Sequence, residues 1–426
     1  MRICVLGAGV VGLASAYQLS LAGHAVTVVD RALPGSGASG GNGAQLSYAY
    51  VQPLADPDIW RQLPKLLLSP SSPVKVQPRM DPRQWLWALR FLAACNAATS
   101  RGTTLALLAL ASESRAAFDA MMVAEKLDCD FSATGKLVIY SNTAAFAAAC
   151  QQLQLQQAMG SQQQAVDSNA CVDIEPALAH HQRHIAGAIH TPGECAADCQ
   201  KVCNGLVAVL QARGVVFLLG SAIDRLVVTN SRVAAVATAQ GDVEADAYVM
   251  ALGAASALLA RPLGVMLPVY PLKGYSITVE VGAKAHIAPA VSVTDSARKV
   301  VFARIGSRLR VAGMAEIGGY GIGIGEQQIA SLVASTRRLF PDCSDFAELA
   351  PWAGLRPATP TGLPIVGRQT GAPANLIFNV GHGALGFTLA FGSAARVAGL
   401  LQRGTRPASR PDRMDPAGSE FAKAGL

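Results

Sequence analysis

Hydrophobic and polar positions along the chain predict strands and helices that follow one another in turn. Residues Arg2 to Leu6 form a short apolar run, which is typical of a buried strand. A glycine turn follows, then an apolar helical pattern to about Ala22, and Ala25 to Val29 is predicted as a second strand. A strand, a helix and a strand in this order indicate a βαβ unit at the start of the chain.

A second α/β block is predicted in the middle of the chain. Ile185 to His190 and Val215 to Leu219 suit strands, and a helix lies between them from about Cys199 to Arg213. We place Asp198 as the N-cap of this helix and Gly214 as its stop. The next three segments are predicted as the strands of a meander: Ile223 to Val228, Arg232 to Ala239 and Glu244 to Ala251.

The other segments add further helices and strands. Helical periodicity covers residues 84–95, 104–126, 144–159 and 327–339, and strand patterns cover residues 134–140, 276–281, 299–305 and 308–312. The last block, Asn375 to Leu401, is again a strand, a glycine turn and a helix. Because βαβ-type elements occur at the start, in the middle and at the end, we expect a nucleotide-binding domain built from separated segments.

Composition adds limits to this fold. A chain of 426 residues is long enough for two domains, and 51% of its residues are hydrophobic while 15% are charged. We find no 18-residue window free of charged and polar groups and no signal peptide, so we expect a cytoplasmic protein without a membrane span. The net charge of +7 fits anionic substrates, or peripheral contact with an anionic surface at the inner face of the membrane. Scattered basic residues argue against nucleic-acid binding.

Nine cysteines at irregular spacing are expected to stay reduced. Cys195, Cys199 and Cys203 recur every fourth residue and can line one helix face. They lack the paired spacing, or the histidine at ligand distance, of a zinc site. We therefore interpret them as packing residues and expect no metal site.

The most specific motif is a glycine-rich turn between the first strand and the first helix: Gly7, Ala8, Gly9, Val10, Val11 and Gly12. Gly7 permits the tight turn, Gly9 lets the backbone approach a pyrophosphate, and Gly12 lets the helix pack on the sheet. Asp30 closes the second strand, where its carboxylate can hold the ribose hydroxyls, with Arg31 beside the adenine or a phosphate. The motif predicts a bound dinucleotide.

Two further segments favour FAD over NAD. The small-residue run from Ser39 to Ser47 can cross the pyrophosphate and reach a flavin, with candidates Ser39, Asn42, Gly43 and Gln45. The glycine loop after the last strand offers backbone N–H groups to the flavin N1–C2=O edge, which becomes negative on reduction. The candidates there are Gly381, Gly383, Leu385, Gly386 and Thr388, and Gly253 is a further cofactor-binding candidate.

The fold class that we predict is therefore α/β with two domains. A Rossmann-like FAD-binding domain is expected from residues 1–50, 185–260 and 345–420. An inserted α+β substrate domain with a mostly antiparallel sheet is expected from residues 51–184 and 261–344. Residues 402–426 form a basic tail.

Several motifs in the same order resemble the D-amino-acid dehydrogenase branch of the FAD-dependent D-amino-acid oxidase family. They are VLGAGVVGLASAYQLSLAGHAVTVVDR near the start, YPLKGYSIT from Tyr270, GMAEI from Gly313, WAGLRPATPTGLPIVG from Trp352 and NVGHGALGFT from Asn379. The resemblance spans nearly the whole chain, and its specificity lies in the combination of motifs.

The resemblance implies oxidative deamination of a D-amino acid. The substrate carboxylate would pair with Arg356 of the GLRP motif, in the bidentate grip that a guanidinium provides. Hydride would pass from the α-carbon to flavin N5, the imine would hydrolyse to a 2-oxo acid and ammonia, and a quinone or another carrier would take the electrons. His382, Tyr275, Lys273 and Tyr50 are further candidates for the pocket.

The chain departs from the family in places. Relatives of the glycine-oxidase type carry a carboxylate-binding tyrosine in the strand before GMAEI, but Lys299 to Arg304 contains none, so another group must assist Arg356. Ala384, Phe387 and Thr361 stand where dehydrogenase relatives often carry Thr, Trp and Asp, which leaves the substrate size open.

Three functions stay open at this point. The first is the D-amino-acid dehydrogenase. The second is an oxidase that uses oxygen, or a dehydrogenase of a cyclic imino acid such as a D-hydroxyproline. The third is a non-catalytic flavin- or NAD-binding subunit of a complex, against which Arg356 argues, because a binding module has no use for a carboxylate clamp.

Overall fold

A computed structural model describes residues 1–49, 51, 53–61, 63, 72–157, 162–281 and 287–403. Its strands are β1 (Arg2–Leu6), β2 (Ala25–Asp30), β3 (Gln45–Leu46), β4 (Val74–Val76), β5 (Lys136–Tyr140), β6 (Gln164–Val166), β7 (Gly187–Thr191), β8 (Cys195–Ala196), β9 (Val216–Leu219), β10 (Ile223–Thr229), β11 (Arg232–Thr238), β12 (Gly241–Glu244), β13 (Ala247–Met250), β14 (Tyr270–Glu280), β15 (Ser292–Asp295), β16 (Val300–Ile305), β17 (Arg308–Ile317), β18 (Leu349–Ala358), β19 (Ile365–Gly367) and β20 (Leu376–Val380). Its helices include α1 (Val10–Leu21), α2 (Pro82–Ala94), α3 (Ala97–Glu125), α4 (Thr143–Gln157), α5 (Ser168–Ile174), α6 (Cys199–Ala212), α7 (Ser256–Ala260), α8 (Glu326–Leu339) and α9 (Gly386–Arg403).

A six-stranded sheet forms the centre of the first layer. Its order is β19-β20-β13-β1-β2-β9, and its strands are parallel except β19 at the edge. The predicted opening βαβ unit is confirmed by β1, α1 and β2. Side chains from this sheet and from α1, α6 and α9 share one buried core, which includes Val5, Leu13, Leu206 and Phe391. Asp198 caps α6 as predicted, accepting from the backbone N–H of Gln200 at 2.9 Å.

A second, nine-stranded sheet is mostly antiparallel. Its order is β18-β14-β17-β16-β15-β5-β7-β6, with β4 paired to β17. Helix α8 packs on β14 and β17 over a core that includes Ile277, Val311, Leu332 and Phe340. The predicted α/β class, with one parallel and one mostly antiparallel sheet, is confirmed. Two small sheets, β10-β11-β12 and β3-β8, complete the topology of the described residues.

One predicted strand of the meander was wrong. The segment from Glu244 to Ala251 was expected to form a single strand, but it is divided between two sheets. Residues Gly241–Glu244 pair with β11, whereas Ala247–Met250 lie parallel to β1. The division follows from burial, since all four residues of β13 are buried, as in a central parallel strand. Between them, Asp246 accepts a hydrogen bond of 2.7 Å from the backbone N–H of Arg2.

Two strands from segments that were predicted for the FAD-binding domain belong instead to the nine-stranded sheet. Strand β7 lies within residues 185–260 and β18 within residues 345–420, yet β7 pairs with β5 and β6, and β18 pairs with β14. Strand β18 was not predicted, because it contains Pro351 and Pro357. Proline is tolerated at a sheet edge, and β18 lies at an edge. The division of the chain into domains stays a prediction.

The last helix has an unusually apolar composition. By length and composition, Gly383–Gln402 is suited to cross a membrane, although 61% of it is buried inside the protein. It packs against α1 and α3, and Phe387 and Phe391 are among its residues in the core. Burial between two neighbouring helices accounts for this composition.

Candidate active site

A large cleft adjoins both main sheets. Its volume is about 2610 Å³. The turns that follow β1, β13 and β20 line one part of it, and residues of β14, β17 and β18 line another. Parallel α/β sheets bind ligands at the carboxyl ends of their strands, so this is the expected place for a dinucleotide.

The cleft brings together most of the residues that the sequence predicted for cofactor binding. Its wall includes Gly7, Gly9, Val10, Val11, Asp30, Arg31, Ser39, Asn42, Gly43, Gln45, Gly253, Gly383, Leu385, Gly386 and Thr388. Three predicted residues are not among the described residues of this wall: Ala8, Gly12 and Gly381. Gly381, with φ +84°, lies behind it, where a Cβ would meet Cγ2 of Thr359 at 2.6 Å.

The glycine turn after β1 has no room for a Cβ at its first and last glycines. Gly7 has φ +112°, and a Cβ on it would lie 2.6 Å from the carbonyl oxygen of Ala251. A Cβ on Gly12 would lie 1.9 Å from the carbonyl oxygen of Gly7. Gly7 therefore permits the tight turn and lets the chain after β13 come close to it. Gly12 lets the first turn of α1 pack directly against the glycine turn.

Side chains from two other segments hold the same turn. Asp30 accepts from the backbone N–H of Ala8 at 2.7 Å and from that of Ala32 at 3.0 Å. Ser39 Oγ accepts from the backbone N–H of Val10 at 3.0 Å. The carboxylate predicted to bind a ribose thus also orients the loop around the cleft.

Three observations fit FAD at this site. Helix α1 has Gly9 as its N-cap, and Ser39 accepts only from its first N–H group, that of Val10, so the positive end of the helix can still attract a phosphate in the cleft. Nε2 of Gln45 and Oδ1 of Asn379 are buried without a hydrogen-bond partner within the described part of the chain, and both residues line the cleft. Buried polar atoms of this kind normally have partners, and a polar cofactor can supply them.

Arg356 also lies in the cleft wall, on β18. Its Nη1 donates to the carbonyl oxygen of Met314 at 2.7 Å. No carboxylate among the described residues forms a salt bridge with it, and burial lowers the pKa of its guanidinium to about 10. A partly buried arginine without an acidic partner is arranged to bind an anion.

Tyr275 and Lys273 lie on the same strand and share one partner. The Tyr275 hydroxyl donates to Glu316 Oε2 at 2.6 Å, and Nζ of Lys273 lies 3.2 Å from Oε1 of the same carboxylate. Tyr275 lines the cleft, and burial raises the pKa of its hydroxyl. Lys273 is not among the described residues of the wall, and Glu316 balances its charge. The candidate Tyr50 lies outside the described residues.

His382 lines the cleft at the turn after β20. It is 2% exposed, and its Nε2 lies 3.1 Å from Oγ of Ser393. Burial lowers the pKa of the ring to about 4, so the imidazole is neutral at pH 7. A neutral ring can orient a ligand by hydrogen bonding but supplies no positive charge.

The sequence analysis missed some residues of the wall. Lys136 is buried there and donates to Ser47 Oγ at 3.0 Å, while the Ser47 N–H donates to Thr388 Oγ1 at 3.1 Å. Burial lowers the pKa of Lys136 to about 8. Trp352 is also on the wall. The available signals were a lysine opening an apolar strand and glycines inside strands, such as Gly354, which mark a close approach by another group.

The chain is similar to known flavoenzymes over nearly its whole length. The family model described as FAD dependent oxidoreductase, named DAO, matches residues 2–400. "D-amino acid dehydrogenase 2" of Ralstonia nicotianae is 47% identical over 414 residues, covering 95% of this chain and 97% of the relative. "D-amino acid dehydrogenase 2" of Pseudomonas aeruginosa is 44% identical over 420 residues, covering 98% and 97%. The crystal structure of glycine oxidase from Geobacillus kaustophilus is similar in fold, with a TM-score of 0.74, 21% identity and coverage of 94% and 95%.

Proposed function

The chain belongs to the DAO family of FAD-dependent oxidoreductases, and on this basis we propose that it oxidises D-amino acids to 2-oxo acids and ammonia. Oxidation removes two electrons and two protons from the amine, and water then replaces nitrogen at the α-carbon. Bound FAD supplies the hydride acceptor. Arg356 is the observation that carries the proposal, because its guanidinium has no carboxylate partner within the described ranges and lies in the cleft that also contains the dinucleotide turn.

The residues of the chain act mainly by binding and orientation. Arg356 grips the substrate carboxylate, and the Met314 carbonyl, which accepts from Nη1, holds the guanidinium in place. The pKa of His382, lowered to about 4 by burial, makes its ring a weak base, and the Tyr275 hydroxyl is bound to Glu316, so neither acts as a strong base at pH 7. A fixed carboxylate brings the α-carbon to one position in the cleft, and such positioning can account for a large share of the rate.

An anaerobic bleaching screen tests this function. Purified protein should be yellow, and D-alanine or another D-amino acid should bleach the flavin absorbance without oxygen, because hydride leaves the α-carbon of that enantiomer. L-amino acids and cyclic imino acids serve as matched substrates. Bleaching by L-amino acids alone, or by none of these compounds, would reject the proposal. The reduced flavin is then mixed with oxygen or with a quinone, and the compound that restores its absorbance is the acceptor.

We further propose a quinone dissolved in an anionic membrane as the acceptor, reached from the cytoplasmic side. Helix α2 supports this, because its outer face exposes Trp85, Leu86 and Leu89. Nε1 of Trp85 donates to the carbonyl oxygen of Arg79 before the helix, and Nε1 of Trp60 donates to the carbonyl oxygen of Cys95 after it. Two exposed tryptophans thus flank one apolar helix face, in the manner of residues at a membrane interface.

Charge and position agree with a lipid surface. Five arginines lie on or beside α2 against three aspartates: Arg61, Arg79, Arg83, Arg90 and Arg101 against Asp56, Asp58 and Asp81. Each basic residue near an anionic membrane contributes about 1 kcal/mol to binding. The cleft wall includes Leu54, Ile59 and Arg101, which lie before and after α2 in the chain.

Vesicle sedimentation tests the membrane contact. Protein mixed with phosphatidylglycerol vesicles at low salt should sediment, and the combined change Trp85→Ser, Leu86→Ser and Leu89→Ser should reduce the bound fraction at least about fivefold. Val123→Ser and Met266→Ser, which remove apolar side chains exposed elsewhere, should leave it unchanged. Equal sedimentation of the α2 variant and the controls, or binding that is the same on uncharged phosphatidylcholine, would reject this contact.

A further inference from the structure

A pair of glycines lies beneath two side chains of the cleft wall, those of Arg356 and Trp352. Gly274 on β14 and Gly354 on β18 are direct partners in the antiparallel register. Such partners project to the same face of a sheet, with Cβ positions about 4.5–5.5 Å apart. A Cβ at Gly274 would lie 2.3 Å from Cζ of Arg356, and a Cβ at Gly354 would lie 2.0 Å from Cη2 of Trp352. The guanidinium and the indole edge therefore lie side by side on one face.

The position of the indole is also fixed from the opposite side. A Cβ at Gly41 would lie 2.0 Å from Cδ2 of Trp352, so the ring lies against the loop before β3 as well as against β18. That loop is anchored, because Ser276 Oγ donates to the Gly41 carbonyl at 2.7 Å and Arg310 Nη1 donates to the Gly40 carbonyl at 3.1 Å. The Trp352 indole is thus held between the loop of Gly40 and Gly41 and the sheet, which leaves it little freedom to change rotamer.

We propose that Trp352 is the specificity-determining residue of this enzyme: its indole forms the pocket wall beside Arg356 and limits the size of the substrate side chain. The inference rests on the proposed function, in which Arg356 holds the substrate carboxylate. The α-carbon is bonded directly to that carboxylate, so the substituent that it carries begins next to the indole edge. Trp352 and Arg356 both line the cleft, and their spacing of four residues on one strand places both side chains on the same face.

Removing the indole should change which substrates are accepted. Trp352→Ala opens space beside the guanidinium, and we expect the ratio of kcat/KM for D-phenylalanine to that for D-alanine to rise at least about tenfold, since apolar pocket contacts discriminate by this order. Trp352→Phe keeps a smaller ring and should raise the ratio about threefold. Leu349→Ala changes the same strand away from the cleft and should leave the ratio unchanged.

A binding measurement that needs no turnover separates a change in substrate specificity from a loss of catalytic activity. Acetate and benzoate, titrated against the flavin absorption spectrum, should give a benzoate-to-acetate affinity ratio that rises at least about tenfold in Trp352→Ala. Should Trp352→Ala lose FAD, Trp352→Phe carries the test with the smaller shift. Unchanged ratios in the variants that bind FAD would overturn the inference. A wild-type protein that no D-amino acid bleaches would instead reject the proposed function, while the carboxylate titration would still test Trp352.

Discussion

Arg356→Ala is expected to lower kcat/KM for D-amino acids about a thousandfold, because it removes a hydrogen-bonded charge pair worth about 4 kcal/mol. The loss should appear mainly in KM and in the affinity for acetate, since the guanidinium binds the carboxylate in the ground state as well. FAD content should stay at the wild-type level, because Arg356 donates its hydrogen bond to the Met314 carbonyl, away from the dinucleotide turn.

Two companion variants sharpen this expectation. Arg356→Lys keeps the charge but loses the planar fork, so most of the activity should still be lost. Arg368→Ala removes an exposed arginine, whose Nε donates to the Ala374 carbonyl at 3.2 Å, and should leave both kcat and KM unchanged. Steady-state kinetics with a dye acceptor and titration with acetate measure the effects. An unchanged KM in Arg356→Ala would remove this residue from the substrate site.

The cofactor half of the site could be predicted because its signals are local. The turn at Gly7 follows β1 directly, and Asp30 ends the next strand, so a short stretch of sequence contains both the motif and its context. Arg356 was predicted through a motif whose neighbours along the chain resemble the family. In each case the informative residues are close in sequence, where periodicity and turn chemistry apply.

The substrate half depended on strand register, which the sequence does not reveal. Lys273 pairs opposite Glu316, and this distant partner draws both Lys273 and Tyr275 into one charged cluster. Gly274 opposite Gly354 is likewise a pairing across many residues of sequence. Trp352 and Arg356 share one face because of their spacing along β18, but only the register sets Gly274 of β14 against the guanidinium.

The glycine turn itself should be the most sensitive point for the cofactor. Gly7→Ala introduces a Cβ at φ +112° and only 2.6 Å from the Ala251 carbonyl oxygen, which belongs to the backbone and cannot rotate away. Strain and overlap together should cost about 3 kcal/mol or more. The protein should then purify with less than about a tenth of its FAD, and its Tm should fall by roughly 5–10 °C.

Two other glycines separate the causes of that loss. Gly23 also has positive φ, at +78°, but a Cβ on it would meet nothing within 4 Å, so Gly23→Ala reports the backbone strain alone. Gly102 lies within α3 with open space around it, so Gly102→Ala should be neutral or slightly stabilising. Absorbance at the flavin bands and thermal unfolding measure all three. If Gly7→Ala retained full FAD, or lost no more stability than Gly23→Ala, the close approach of β13 to the turn would not be what requires glycine there.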